Sequence, residues 1–127
     1  DASDKVPVDF APLYASGVLT VLTLETTELG DYINFAAEMD DGEAMTCAIA
    51  GHRGGAVATD DRKARRVLTQ DAPHLRLLST LDLVHDWALQ QQIASAALRT
   101  VLMNIRDRAT YIPARSHALR AWWDNSI

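Results

Sequence analysis

Cysteine is nearly absent. Cys47 stands alone, so no internal disulfide can form, and a reducing compartment fits better than secretion. Long apolar runs are missing too: none approaches the roughly 20 residues that span a bilayer. Asp1-Ala2-Ser3-Asp4-Lys5 is not a hydrophobic signal segment. These gaps predict a soluble, cytoplasmic chain with no membrane partner. There is no Gly-rich phosphate loop and no G-x-S-x-G turn, which sets aside nucleotide-cradling loops and serine-hydrolase elbows. His52, His74, His85 and His117 lack the H-x-x-x-H spacing of a metal site and read as surface or satisfied core residues. Basic charge is in deficit, with a net charge of −5. Binding of nucleic acid through an overall positive field is therefore excluded, and any such contact must be local.

What is present is an ordinary globular composition. The 127 residues are 48% apolar and 23% charged, enough for one domain with a real core. The reading is a single domain over 1–127 whose last part, 94–127, is helical. Asp9 is placed to cap a short helix over Phe10 to Ser16, stopped by Gly17. Val18 to Leu24 (VLTVLTL) is β-branched and apolar, which predicts a buried strand. Thr26 or Thr27 opens a helix with Leu29, Ile33, Ala36 and Ala37 turned inward. Asp40-Asp41-Gly42 breaks it, and a helix beginning at Glu43 buries Ala44, Cys47 and Ala48 before Gly54-Gly55 ends it. Ala56 to Thr59 reads as a central strand. Asp60 or Asp61 starts a helix with Ala64, Val67 and Leu68 inside.

Leu75 to Leu78 is the third strand, and Ser79-x-x-Asp82 resembles a capping box opening a helix through Gln90. Ala94 to Ala109 is the clearest helix, with Leu98, Val101, Leu102 and Ile105 on one face. Pro113 interrupts the chain after it, and a short helix covers His117 to Asp124. Trp87 is expected in the core. Trp122-Trp123 either docks the last helix or stacks on bases, docking being favoured. Arg106-Asp107-Arg108 reads as a solvated face with local ion pairs. Strands alternating with helices predict an α/β fold with a small parallel sheet flanked by helices.

In such sheets ligands bind beyond the carboxyl ends of the strands. Thr59-Asp60-Asp61 lies at one of those ends. Two adjacent carboxylates there are costly unless something positive compensates them. A divalent cation does so, and Mg²⁺ takes oxygen ligands from one or two carboxylates plus phosphates and waters. Glu43, in the first turn of a neighbouring helix, can converge on the same spot. Arg62, Lys63, Arg65 and Arg66 come directly after and can hold a phosphate backbone. Carboxylates, a hard metal and nearby cations suit phosphodiester hydrolysis. Each part has a plainer reading beside it. Asp40-x-x-Glu43 also fits a capping pattern, Asp60 also suits an N-cap, and the basic run also suits a solvated helix face.

The run Asp41-Gly42-Glu43-Ala44, Ala48-Ile49-Ala50 and Ala56-Val57-Ala58-Thr59-Asp60-Asp61-Arg62-Lys63-Ala64-Arg65 resembles the C-terminal half of a PIN domain. Leu77-Leu78-Ser79-Thr80-Leu81 fits that family's last strand and following helix. The resemblance covers about Gly17 to Gln90. It implies a three-layer PIN-like fold and a ribonuclease, often the toxin of a toxin–antitoxin pair, that uses Mg²⁺ or Mn²⁺ to activate water against RNA. It implies Glu43 and Asp61 as metal ligands, Asp60 as a neighbouring catalytic acid, and Thr59 with Arg62, Lys63, Arg65 and Arg66 on the substrate side. An antitoxin protein is the partner it implies.

The family's opening strand, which ends in an essential Asp, is not found, so the chain reads as truncated at its N-terminus. Val18–Leu24 and Ala56–Thr59 then lack the neighbour that would lie between them. An exposed edge of that kind is usually covered, so a homodimer or higher assembly is expected. A catalytically inactive, PIN-like oligomerising or protein-interaction module is the alternative function.

Overall fold

The computed structural model describes residues 6–127. It is a mixed α/β molecule, mostly helical, with a two-stranded parallel sheet. Helix α1 (Ala11–Ala15) begins with Pro12 in its first turn, where the missing N–H costs nothing. The Asp9 carboxylate accepts the Ala11 N–H at 3.0 Å, and Gly17 turns the chain at φ +77°. The chain then runs through Val18 to Glu25 without regular structure. A 3₁₀ turn, Thr26–Glu28, leads into α2 (Leu29–Ala36).

Helix α3 (Asp41–Arg53) starts where the Asp40 carboxylate accepts the Glu43 N–H at 2.8 Å, and it ends at Gly54 in the left-handed region. Strand β1 (Val57–Ala58) pairs with β2 (Leu77–Leu78), Val57 opposite Leu77. Between them α4 (Arg62–Asp71) is capped by Asp61. Helix α5 (Thr80–Gln90) opens on a full capping box: the Ser79 Oγ accepts from the Asp82 N–H and the Asp82 carboxylate from the Ser79 N–H. Helices α6 (Ser95–Arg108) and α7 (Arg120–Ser126) complete the chain.

Two apolar clusters hold these elements. The first joins Met39, Ala44, Cys47, Ala50, Val57, Val67, Leu68, Ala72 and Leu75, with Tyr32, Phe35 and Leu77 against it. Small residues on α3 let β1 and α4 approach closely. The second joins Leu81, Ala88, Leu98, Leu102 and Trp123. Trp123 is buried, as docking of the last helix requires, and Trp122 meets His85 edge-on at 4.8 Å. No helix among the described residues is long and apolar enough to cross a membrane.

Four expectations are corrected. Val18–Leu24 forms no strand; Val18 and Val21 are 70% and 71% exposed. The sheet therefore has two strands rather than three, and β1 is an edge instead of a central strand. A strand pattern becomes a strand only when its backbone pairs, and no backbone hydrogen bond joins Val18–Leu24 to β1. The inner face of α2 is rotated by one residue from the predicted one. Leu29 and Ile33 are exposed, while Tyr32, Phe35 and Ala36 pack inward, following Glu28.

The cause is a long-range ion pair. Glu28 is buried at 1% exposure and receives the Arg53 guanidinium at 2.7 and 3.0 Å. Arg53 also donates to the Thr23 carbonyl at 2.8 Å. Finally, Trp87 stands 40% exposed on the outer face of α5 rather than in the core.

Leu68 is fully buried at the centre of the first cluster. Leu68→Ala should cost about 2–5 kcal/mol, read as a lower midpoint in chemical denaturation with an unchanged slope. The Arg53 hydrogen bond holds the Glu28 carboxyl below its ordinary value of 4.5. A depressed carboxylate contributes stability that is present above the unfolded value and lost as pH falls through the folded one. Glu28→Gln should therefore melt lower than the native chain at pH 7, and the gap should close under acid conditions.

Candidate functional site

Three N-terminal helix ends gather at the carboxyl end of the sheet. Parallel pairing carries β1 and β2 out at the same edge, so Thr59-Asp60-Asp61 and Ser79-Thr80 emerge side by side. The Thr59 N–H donates to the Leu78 carbonyl at 2.9 Å, extending the ladder one step beyond the strands. The N-terminus of α3 brings Glu43 to β1. A cleft of about 140 Å³ lies there, lined by Gly42, Glu43, Thr46, Cys47, Val57, Ala58, Thr59 and Ala64.

The predicted acids divide into different roles. Glu43 is half-buried in the cleft, and its carboxyl lies above its ordinary range. Burial is the first cause, and the charges of Asp40 and then Asp61 add to it. The charge of Asp61 thus reaches Glu43. Asp61 also serves as the α4 cap: its Oδ1 accepts the Ala64 N–H at 2.8 Å, and its own N–H donates to Thr59 Oγ1 at 3.1 Å. Asp60 turns the other way. Its carboxylate accepts the Thr80 N–H at 3.0 Å and the Thr80 hydroxyl, tying the β1 exit to the start of α5.

The basic run does not form one patch. Arg65 donates to the Thr59 carbonyl at 2.8 Å and its charge reaches Asp82. Lys63 and Arg66 act instead on Glu38, whose carboxyl is raised by its hydrogen bond to Asp71. Arg62 stands exposed on the first turn of α4. None of the four lines the cleft, and Arg65, bonded to the Thr59 carbonyl, is the one tied to its rim. Among the described residues, no three of His, Cys, Asp and Glu stand together as a metal-ligating group. The oxygen donors lining the cleft are the Glu43 carboxylate and the Thr46 and Thr59 hydroxyls, and the charge of Asp61 is felt by Glu43 from outside that lining. Thr46 was not singled out in the sequence. Its position one turn after Gly42, donating to the Gly42 carbonyl at 2.9 Å, is the local signal that places it.

Ser79, Asp82 and His117 do come together, with His117 Nε2 2.8 Å from Ser79 Oγ and 3.8 Å from Asp82 Oδ1. They are not a nucleophilic triad. His117 Nδ1 accepts the Leu119 N–H at 2.9 Å, so in the neutral ring the proton is on Nε2 and is donated to Ser79. The ring cannot then take the serine proton. The hydroxyl, 4% exposed, also receives the Asp82 N–H. This cluster fastens α7 to the start of α5. Cys47 is equally unsuited to nucleophilic work: burial pushes its thiol up to about 11, and its Sγ lies 3.9 Å from Met39 Sδ.

Comparison with protein-family models, with curated proteins and with solved structures finds no match. The chemistry of the cleft therefore rests on its residues.

The raised Glu43 carboxyl has a consequence for stability. Its proton favours the folded state, an effect fully present below the unfolded value of 4.5 and lost as pH rises through the higher folded value. Glu43→Gln fixes the neutral form with the same shape. Its melting temperature should exceed that of the native chain at pH 7, and the two should coincide in acid below about 4.5. A lower melting temperature at pH 7 would show that the charge is not under strain.

Proposed function

We propose that the chain is a PIN-like, three-layer domain acting as a metal-dependent ribonuclease, with Mg²⁺ or Mn²⁺ held between Glu43 and Asp61. The supporting observation is Glu43 itself, a half-buried carboxyl lifted by two neighbouring acids at the carboxyl end of a parallel sheet. Such strain is common where a ligand supplies the missing charge. Hard carboxylate oxygens suit these cations, and Mg²⁺ needs only one or two of them alongside phosphate and water. When bound, the cation polarises a phosphoryl oxygen and lowers the pKa of its water. The protein's own part is positional. Asp61 is fixed by its cap bond, so one oxygen stays aimed along the α4 axis while the other is free of backbone partners. Asp60 and Thr80 tie the β1 exit to the start of α5, and Arg62 and Arg65 would offer positive charge to an RNA backbone. A protein antitoxin would cover this same edge.

The second reading is a non-catalytic, PIN-like interaction module. It draws on the fact that Asp61 and Asp60 are both already engaged as structural acceptors.

Metal-dependent melting separates the two. A ligand specific to the folded state, at a hundred times its Kd, stabilises by about 2.7 kcal/mol. Mg²⁺ or Mn²⁺ should raise the melting temperature, and Glu43→Gln with Asp61→Asn should remove the rise. Asn still caps a helix well, so the double variant keeps its α4 start. RNA cleavage should appear with the metal and vanish with EDTA. An equal metal response in the double variant sinks the proposed ligand pair, and a metal response without cleavage favours the second reading.

A further inference from the structure

The free edge of β1 and the Val18–Leu22 segment are two halves of an unmade ladder. In the β1–β2 pair, Val57 and Thr59 direct their N–H groups to Arg76 and Leu78. Backbone groups alternate in direction along a strand, so the N–H and C=O of Ala58 face away from β2. No other strand pairs there among the described residues. Beside this edge runs a largely apolar groove of about 490 Å³, whose lining includes Met45, Ile49, Ala50 and Ala56. Thr20 and Leu22 form its far wall, but no backbone hydrogen bond joins Val18–Leu24 to β1. Val18, Val21 and Leu22 are 70%, 71% and 52% exposed. The segment has no charge and no proline, a composition that proteins rarely leave beside an open edge.

The surface area states how much is uncovered. A folded 13.9 kDa monomer exposes about 6,700 Å², whereas this chain exposes 8959 Å². A standard interface buries only about 800 Å² per partner.

We propose that two copies of this chain associate by exchange, each laying its Val18–Leu22 segment along the β1 edge of the other. A second copy is the occupant because one chain carries both an edge without a strand and a strand without an edge. Reciprocal exchange satisfies both and closes on a two-fold axis. The pairing rests on the fold and the exposed area, and is independent of any metal at Glu43.

Light scattering after size exclusion, on the full chain at micromolar concentration, tests it. The native chain should have the mass of two copies. Val21→Asp with Leu22→Asp should give one copy with unchanged helical circular dichroism, because both side chains are already exposed in the single chain. Ala58→Pro removes only the outward N–H, leaves the Val57 and Thr59 bonds to β2, and should also give one copy. A native mass of one copy overturns the proposal. So does a dimer that survives the double Asp variant, or a folded Ala58→Pro chain that stays dimeric. Should Ala58→Pro lose its helical signal, the double Asp variant decides alone.

Discussion

Parallel pairing of two residues with two residues is the constraint on which the remaining arrangement depends. Val57 opposite Leu77 and Ala58 opposite Leu78 set both strands running the same way. Both exits then fall at one edge, and each is succeeded at once by a helix. The capping acids and hydroxyls of α4 and α5 must therefore meet, which is why Asp60 reaches Thr80 across twenty residues of sequence. Reversed pairing would put Asp60 and Ser79 at opposite ends and dissolve the cleft. So short a ladder cannot stand alone. It is held by the small residues of α3 behind Val57 and by Leu68 from α4.

Helix N-termini carry unsatisfied N–H groups and a partial positive charge, so acids collect there for structural reasons alone. The cleft shows how that demand and a ligand's demand can fall on the same residues. Asp61 and Asp60 both satisfy backbone donors. Glu43 differs. The cap of its own helix is already provided by Asp40, so its carboxyl is not needed for capping and sits raised among other acids. Among Glu43, Asp60 and Asp61, Glu43 is the one whose carboxyl is raised, burial and like charge outweighing the backbone bond from Asp40.

Much of the fold was legible because its signals are local. The Asp40 cap, the Ser79–Asp82 box and the stop at Gly54 act over three or four residues, and each lies where the sequence places it, whereas the α4 cap is Asp61 and not Asp60, which turns to Thr80 instead. The inner faces of α3 and α4 came from periodicity in the same way. The failures are non-local. The face of α2 is decided by Glu28 meeting Arg53 twenty-five residues later, which no window on α2 contains. Val18–Leu24 has strand composition, but composition does not supply the pairing: no backbone hydrogen bond joins it to the open edge of β1. At the site, the sequence located Glu43 and Asp61 together. It did not reveal that Arg65 is drawn to the Thr59 carbonyl and Asp60 to Thr80, because both depend on how β1, α4 and α5 meet.

The acidic cleft and the open edge of β1 are not separate regions. Gly42 and Thr46 line both the smaller cleft holding Glu43 and the larger groove beside Ala56. The first turns of α3 are thus a wall between them. A strand seated on the Ala58 edge would fill the groove side of that wall, while Glu43 faces the cleft side, where burial raises its carboxyl more than either neighbouring acid does. Neither side makes a demand on the other: the edge can be covered with the cleft empty, and a cation can be held with the edge open.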